Sequence, residues 1–367
     1  MTWLMLITGL LLLIVGADLL VRGAARLAAS LGVPALVIGL TVVAFGTSAP
    51  ELAVSVKSAW AGQAELAIAN VVGSNIFNVL FILGLAALIS PLVVSKQLIR
   101  QDVPIMILVS VVAVLMAWDG TLGRGEAVLL FTGLLGYTAF LFMQGRRQGM
   151  DTADEEVAEL IRRPVPAWQN LLLVAGGLVL LVAGARWLVQ SAVQIAASFG
   201  VSEAVIGLTI VAAGTSLPEV MTSVIATLKG QRDIAIGNVV GSNVFNILCV
   251  LGLSGLVSPA PLLAGTQLAS LDMPVMLGVA VLCLPLFFVG ARLTRFEGLL
   301  FLVLYLAYVW YMVALTLAAG YLPRLGAGIV YGLIPLVVLY VTATLGRDLW
   351  RRRRGAEPAE ARDNRAP

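Results

Sequence analysis

Apolar residues in this chain fall into eleven long runs separated by short polar or charged breaks. The runs lie near 3–27, 35–60, 65–89, 103–118, 125–143, 170–197, 203–228, 233–257, 273–290, 297–318 and 326–346. Most are close to the roughly 20 helical residues that cross a bilayer core about 30 Å thick. The pattern predicts an all-α polytopic membrane protein. Met1–Leu20 lacks a basic start and a small-residue cleavage signature, so it is read as part of the first span rather than as a removable leader. A hydrophilic stretch, Gln144–Gln169, interrupts the series between the fifth and sixth runs. The tail Arg347–Pro367 opens with the basic run Arg351–Arg354 and then turns rich in Ala, Glu and Arg, the composition of a disordered segment.

The first ten runs are two copies of five. Gly16–Pro91 aligns with Gly184–Pro259 at a constant offset of 168 residues without a gap. Further on, Asp102-Val-Pro104 matches Asp272-Met-Pro274, and Arg124-Gly-Glu126 matches Arg295-Phe-Glu297. Because five is odd, the second copy enters the membrane from the opposite side, which makes an inverted repeat about an axis in the membrane plane. The expected organisation is a first five-helix repeat over 1–145, a loop over 146–168, a second, inverted repeat over 169–319, an eleventh helix over 320–346 and a basic tail over 347–367.

Composition agrees: of 367 residues 60% are hydrophobic and 12% charged, and the mean hydropathy is +1.01, far from soluble averages. Charge then sets the orientation. With the N-terminus outside, nineteen Lys and Arg fall on the cytoplasmic side and three, Lys57, Arg124 and Arg324, outside, while Arg186 sits within a span. The positive-inside rule favours this arrangement, with the tail in the cytoplasm. Histidine is absent, which excludes imidazole catalysis and His-bound metals. Cys249 and Cys283 lie in apolar runs and read as core packing, not as a disulfide or thiolate site.

Two duplicated motifs carry polar chemistry into the apolar runs. Thr41–Ser55, TVVAFGTSAPELAVS, returns as Thr209–Ser223, TIVAAGTSLPEVMTS, with nine of fifteen positions identical. Each copy holds an acid, Glu51 or Glu219, and an acid at membrane depth costs on the order of 3 kcal/mol on insertion scales. Pro50 has no N–H and cannot continue a helix past Gly46, so the run is expected to break, freeing carbonyls near Ala44 and starting a new half-helix capped by Thr47 or Ser48. Irregular backbone at that depth survives only inside protein or along a polar cavity. Carbonyls, hydroxyls and a carboxylate are hard oxygen donors suited to Ca²⁺ or Na⁺. The plain alternative is a Pro-kinked helix with a snorkelling or protonated Glu, which two mirrored copies make hard to sustain.

The second motif is Asn70-Val-Val-Gly-Ser-Asn-Ile-Phe-Asn78, repeated as Asn238-Val-Val-Gly-Ser-Asn-Val-Phe-Asn246. Asn70, Ser74 and Asn78 share one helical face, as do Asn238, Ser242 and Asn246, with Gly73 or Gly241 beside them for close helix approach. Asn70 and Asn238 fit interhelical hydrogen bonding as well as an ion site. Ser74, Asn78, Ser242 and Asn246, nearer mid-span, are expected to face the site.

Together, GTSAPE and GNVVGSN-type motifs duplicated in inverted halves resemble the cation/Ca²⁺ exchanger superfamily, in particular its Na⁺/Ca²⁺ exchanger branch of prokaryotic type. The resemblance spans roughly residues 1–318. It implies ten core helices with four ion subsites at their centre. It assigns ligands to the Ala44 and Ala212 carbonyls, Thr47, Ser48, Glu51, Ser74 and Asn78, and to Thr215, Ser216, Glu219, Ser242 and Asn246. It also implies that the first and sixth spans slide as a pair, and a prokaryotic plasma (inner) membrane location. The chain departs from the family in its eleventh span, in a central loop too short for the Ca²⁺-sensing domains of animal exchangers, and in Asn246, where the family often has Asp.

The expected function is secondary active antiport of Ca²⁺ against Na⁺, with the bilayer as surroundings, no cofactor, no nucleic acid and no obligatory protein partner. Two carboxylates bring a charge of −2, which one Ca²⁺ cancels and more than one Na⁺ must replace. Ca²⁺/H⁺ exchange remains open, since two close acids could load protons instead. A cation channel leaves the inverted repeat unexplained, and an intramembrane hydrolase lacks a nucleophile–base pair. Asp102 and Asp272, two residues before Pro, read as helix N-caps. Asp18 and Arg186, equivalent in the two repeats, are expected either to pair or to snorkel separately.

Overall fold

A computed structural model describes residues 1–148, 166–199 and 212–353. The loop residues 149–165, the start of the seventh run at 203–211 and the tail from 354 lie outside the described residues. The helices are α1 (Thr2–Leu31), α2 (Ala35–Thr47), α3 (Ala49–Trp60), α4 (Ala64–Ile89), α5 (Leu98–Met116) and α6 (Arg124–Gln148). They continue with α7 (Ala167–Ser198), α8 (Leu217–Leu228), α9 (Arg232–Val257), α10 (Leu268–Phe288), α11 (Arg295–Thr316) and α12 (Leu322–Arg351). Among the described residues nine helices are long and apolar enough to cross a bilayer, and α2 and α3 form a further crossing bent by 47°. The helix α8 and a short helical turn over Ala212–Gly214 belong to the described part of the seventh predicted run. All eleven predicted runs therefore have a helical counterpart, in two inverted repeats plus α12.

Burial orders the helices from centre to rim. The most apolar window of α9 is wholly buried and that of α4 is 72% buried, whereas α6 and α11 are 17% and α12 only 6% buried. The two polar-motif helices thus form the middle of the molecule, and α12 is exposed along most of its length.

The helices α1 and α7 run antiparallel on one flank through glycines. A methyl on Gly16 would stand 2.8 Å from the Gly177 carbonyl oxygen, and one on Gly177 would stand 2.7 Å from the Gly16 oxygen. Real Cβ atoms do not approach backbone so closely, so only glycine lets these two helices meet backbone to backbone. Asp18 and Arg186 do not pair. Asp18 binds Arg22 of its own helix and Lys229, which follows α8. Arg186 stays exposed on α7, where the antiparallel packing carries it away from Asp18.

Two short ribbons tie the repeats together. β1 (Leu92–Val93) pairs antiparallel with β4 (Arg292–Leu293), and β2 (Thr121–Leu122) with β3 (Leu262–Leu263). The duplicated Arg-x-Glu triplets brace the same junctions. Arg124 donates to the Ser258 carbonyl and Arg295 to the Ile89 carbonyl, both at 3.2 Å. Glu126 accepts from the Gly123 N–H, and Glu297 forms a capping box with Thr294.

Asp102 and Asp272 are not N-caps. Each ends a widened π-helical turn, Leu98–Asp102 or Leu268–Asp272, that extends the helix ahead of the proline, and each has right-handed helical backbone. The π-helical turn carries the helix back ahead of Pro104 or Pro274, so it begins a turn earlier than the Asp-x-Pro spacing suggests. Asp102 accepts from Gln101, and Asp272 from the Tyr308 hydroxyl at 2.8 Å.

Candidate ion-binding site

The break between α2 and α3 falls at Ser48, where the backbone leaves helical geometry (φ −79°, ψ 8°) and Pro50 enters the first turn of α3. The second repeat repeats this at Ser216 (φ −87°, ψ 8°), with the short helical turn Ala212–Gly214 before it and Pro218 after it. Both acids sit in the first turn of their new half-helix, on the positive end of its dipole. Both are fully buried.

The hydroxyls at the breaks do not cap their own helices, as the sequence suggested. They reach across the pseudo-two-fold. Ser216 Oγ donates to Glu51 Oε1 at 2.6 Å, and Ser48 Oγ to Glu219 Oε1 at 3.0 Å. Thr47 Oγ1 donates to Asn238 Oδ1 at 3.0 Å, and Thr215 stands beside Glu51. A hydroxyl hydrogen bond to a charged acceptor is stronger than one to a neutral group, so the serines donate to the acids of the opposite repeat. The Ala44 carbonyl is also not freed by the break. It accepts the Ser48 N–H at 3.1 Å, so any ion would meet its second lone pair; the Gly46 carbonyl, whose usual donor Pro50 lacks, also accepts a backbone N–H at the break.

The central helices α4 and α9 supply the remaining oxygens. Asn70 Nδ2 donates to the Glu51 carbonyl and to Ser55 Oγ, and Asn238 Nδ2 to the Glu219 carbonyl and Ser223 Oγ. These two asparagines therefore hold the broken helices in place, as the interhelical reading allowed. Ser74, Asn78, Ser242 and Asn246 are buried near the midpoints of α4 and α9, and π-helical turns begin at Asn78 and Asn246. Seven buried oxygens here have no hydrogen-bond partner: Thr215 Oγ1 and, in matched places of the two repeats, Glu51 Oε2, Glu219 Oε2, Ser74 Oγ, Ser242 Oγ, Asn78 Oδ1 and Asn246 Oδ1. The last six form three symmetric pairs, and a buried acceptor without a partner is costly unless something else satisfies it. An all-oxygen set with two carboxylates is the donor chemistry of a hard cation.

Sequence reasoning passed over Asn75 and Asn243. Each lies one residue past the serine of the polar face and turns to the opposite repeat, where it bonds Asn246 or Asn78. Their identity in both copies was the available signal. The hydroxyls of Ser55 and Ser223, last in the first motif, were likewise not singled out.

The family model described as sodium/calcium exchanger protein matches residues 1–143 and 169–314. The putative antiporter CaxA of Alkalimonas amylolytica is 39% identical over 310 residues, covering 83% of this chain and 96% of that protein. The sodium/calcium exchanger MaX1 of Methanosarcina acetivorans is 34% identical over 340 residues, covering 83% and 97%. The inner membrane protein YrbG of Escherichia coli is 42% identical over 289 residues, covering 76% and 87%. The solved structure of the sodium-calcium exchanger NCX_Mj superposes with a TM-score of 0.72 at 30% identity, over 86% of this chain and 98% of that one. Inverted repeats, paired helix breaks and paired acids thus accompany matches over more than three quarters of the chain, which belongs to the sodium/calcium exchanger family of integral membrane antiporters.

Proposed function

We propose that the chain exchanges Ca²⁺ for Na⁺ at a single central site. The observation that carries this reading is the set of seven unpartnered buried oxygens, two of which belong to carboxylates from opposite repeats. In this reading the ligands are the Ala44 and Ala212 carbonyls with Thr47, Ser48, Glu51, Ser74, Asn78, Thr215, Ser216, Glu219, Ser242 and Asn246. The serine and asparagine oxygens that would complete a Ca²⁺ shell suit a dehydrated Na⁺ equally, so one cage can hold either ion in turn. The names of MaX1 and NCX_Mj, both sodium–calcium exchangers, support Na⁺ as the counter-ion.

Both symmetric amides, Asn78 and Asn246, are neutral. Once Ca²⁺ has balanced the two carboxylates, a co-bound K⁺ would be desolvated at the midplane without a counter-charge, which costs several kcal/mol. Proteoliposomes loaded with Na⁺ are therefore expected to take up Ca²⁺ when choline replaces K⁺ on both sides under clamped potential. Uptake that only K⁺ restores would contradict the role given to these amides. Uptake driven by a pH gradient without Na⁺ would replace the reading with Ca²⁺/H⁺ exchange, and uptake needing no counter-ion would make the protein a channel.

The proposed setting is a prokaryotic plasma membrane, with the N-terminus outside and the tail in the cytoplasm. The nineteen-to-three distribution of basic residues and the name of the YrbG relative support it. A cysteine introduced after Trp350 should react with an impermeant maleimide only in opened cells; the native Cys249 and Cys283 are buried and give little background. Labelling in intact cells would reverse the orientation.

A further inference from the structure

We infer that Asn75 and Asn243 are positioning residues: each fixes which end of the opposite repeat's amide, Asn246 or Asn78, is turned toward the cation. The inference rests on the proposed reading of Asn78 and Asn246 as ligands. An asparagine amide has an oxygen end that attracts a cation and an NH₂ end that repels it, with nearly the same shape. A ligand asparagine free to rotate by half a turn would spend part of its time presenting the wrong end. Something must choose.

The hydrogen bonds supply a complete chain of choice. Asn75 Nδ2 donates to the Asn243 backbone carbonyl at 3.3 Å and lies 3.7 Å from Met276 Sδ, neither of which can donate in return. The amide of Asn75 is thereby locked with its oxygen facing away from them. That oxygen accepts from Asn246 Nδ2 at 3.1 Å. With its NH₂ end so engaged, Asn246 has Oδ1 as its remaining end, and this is one of the unpartnered buried oxygens. The mirror chain is equally complete. Asn243 Nδ2 donates to the Asn75 carbonyl at 3.3 Å and lies 3.7 Å from Met106 Sδ. Asn243 Oδ1 accepts from Asn78 Nδ2 at 3.1 Å, leaving Asn78 Oδ1 unpartnered. Both positioning amides are nearly or fully buried, so water does not compete for these bonds.

A carboxylate has two equivalent oxygens and no end to choose, which gives a test that a plain structural brace would fail. Asn243→Ala should raise the half-saturating Ca²⁺ concentration of the purified exchanger about tenfold, the equivalent of one net hydrogen bond, with little change in maximal flux. In an Asn78→Asp background, Asn243 Oδ1 faces another acceptor and there is no flip to set. There Asn243→Ala should cause no loss of affinity, or a gain. An equal loss in both backgrounds would overturn the positioning role and leave only a packing contact. If Asn78→Ala alone leaves Ca²⁺ half-saturation unchanged, the ligand reading itself fails, a result separable from the first. Should Asn243→Ala not yield folded protein, Asn75→Ala with and without Asn246→Asp decides by the same criterion.

Discussion

Glu51→Gln is expected to abolish Ca²⁺ transport in a protein that still inserts and purifies as a folded species. The amide keeps the shape of the acid and can still accept from Ser216 Oγ, so packing at the break of the second helix pair survives. What disappears is one of two charges that face the proposed ion. Removing one partner from a buried set of charges costs about 3–5 kcal/mol, which is about two to nearly four decades in affinity. Na⁺, with half the charge of Ca²⁺, should lose less. Glu219→Gln, whose acid accepts from Ser48 in the mirror position, should behave alike. The comparison is Ca²⁺ flux per folded molecule, checked by size-exclusion chromatography. Near-normal flux in either variant would remove its acid from the site.

The second large effect comes from a residue with no polar atom on its side. A methyl at Gly241 would lie 2.6 Å from the Leu40 carbonyl oxygen, 2.7 Å from Leu40 Cα and 2.9 Å from Ala44 Cβ. The first two are backbone atoms of α2, which cannot swing aside as a side chain would. Gly241→Ala therefore pushes α9 away from the helix that ends at the Ser48 break, at a cost of about 1–3 kcal/mol. Because Ser242 and Asn246 ride on α9, the strain falls on the oxygens of the site. Ca²⁺ affinity should fall about tenfold or more, and Gly241→Val should not transport. Gly176, with nothing among the described residues within 4 Å of an added methyl, provides the control. Equal behaviour of Gly241→Ala and Gly176→Ala would mean that the close approach of α9 to α2 does not matter.

Much of this was legible in the chain. The eleven apolar runs, the odd repeat and the two polar motifs follow from hydropathy and self-similarity, which are local or periodic properties. The misreadings share one cause. Ser48 was expected to cap its own helix, and Asp102 to cap the next, because the nearest backbone N–H is the only partner visible in a short window. The actual partner of Ser48 is Glu219, 171 residues away, and that of Ser216 is Glu51, 165 residues away. Asn75 and Asn243 were overlooked for the same reason. Their partners lie in the other repeat, and helical spacing from Asn70 and Ser74 places them off the polar face. The π-helical turns left no mark that composition could reveal.

The crossing of hydrogen bonds between the repeats also sets a clock on biogenesis. At synthesis rates of about 5–20 residues per second, the 165 residues separating Glu51 from Ser216 take roughly 8–33 s to make. For that interval the first acid exists without the hydroxyl that will bind it, and β1 waits longer still for β4. Neither half of the cage can be finished before the other has entered the membrane. The newborn chain must therefore tolerate a buried, uncompensated carboxylate or hold its second span back from final seating, which makes the first repeat dependent on the second for time as well as for contacts.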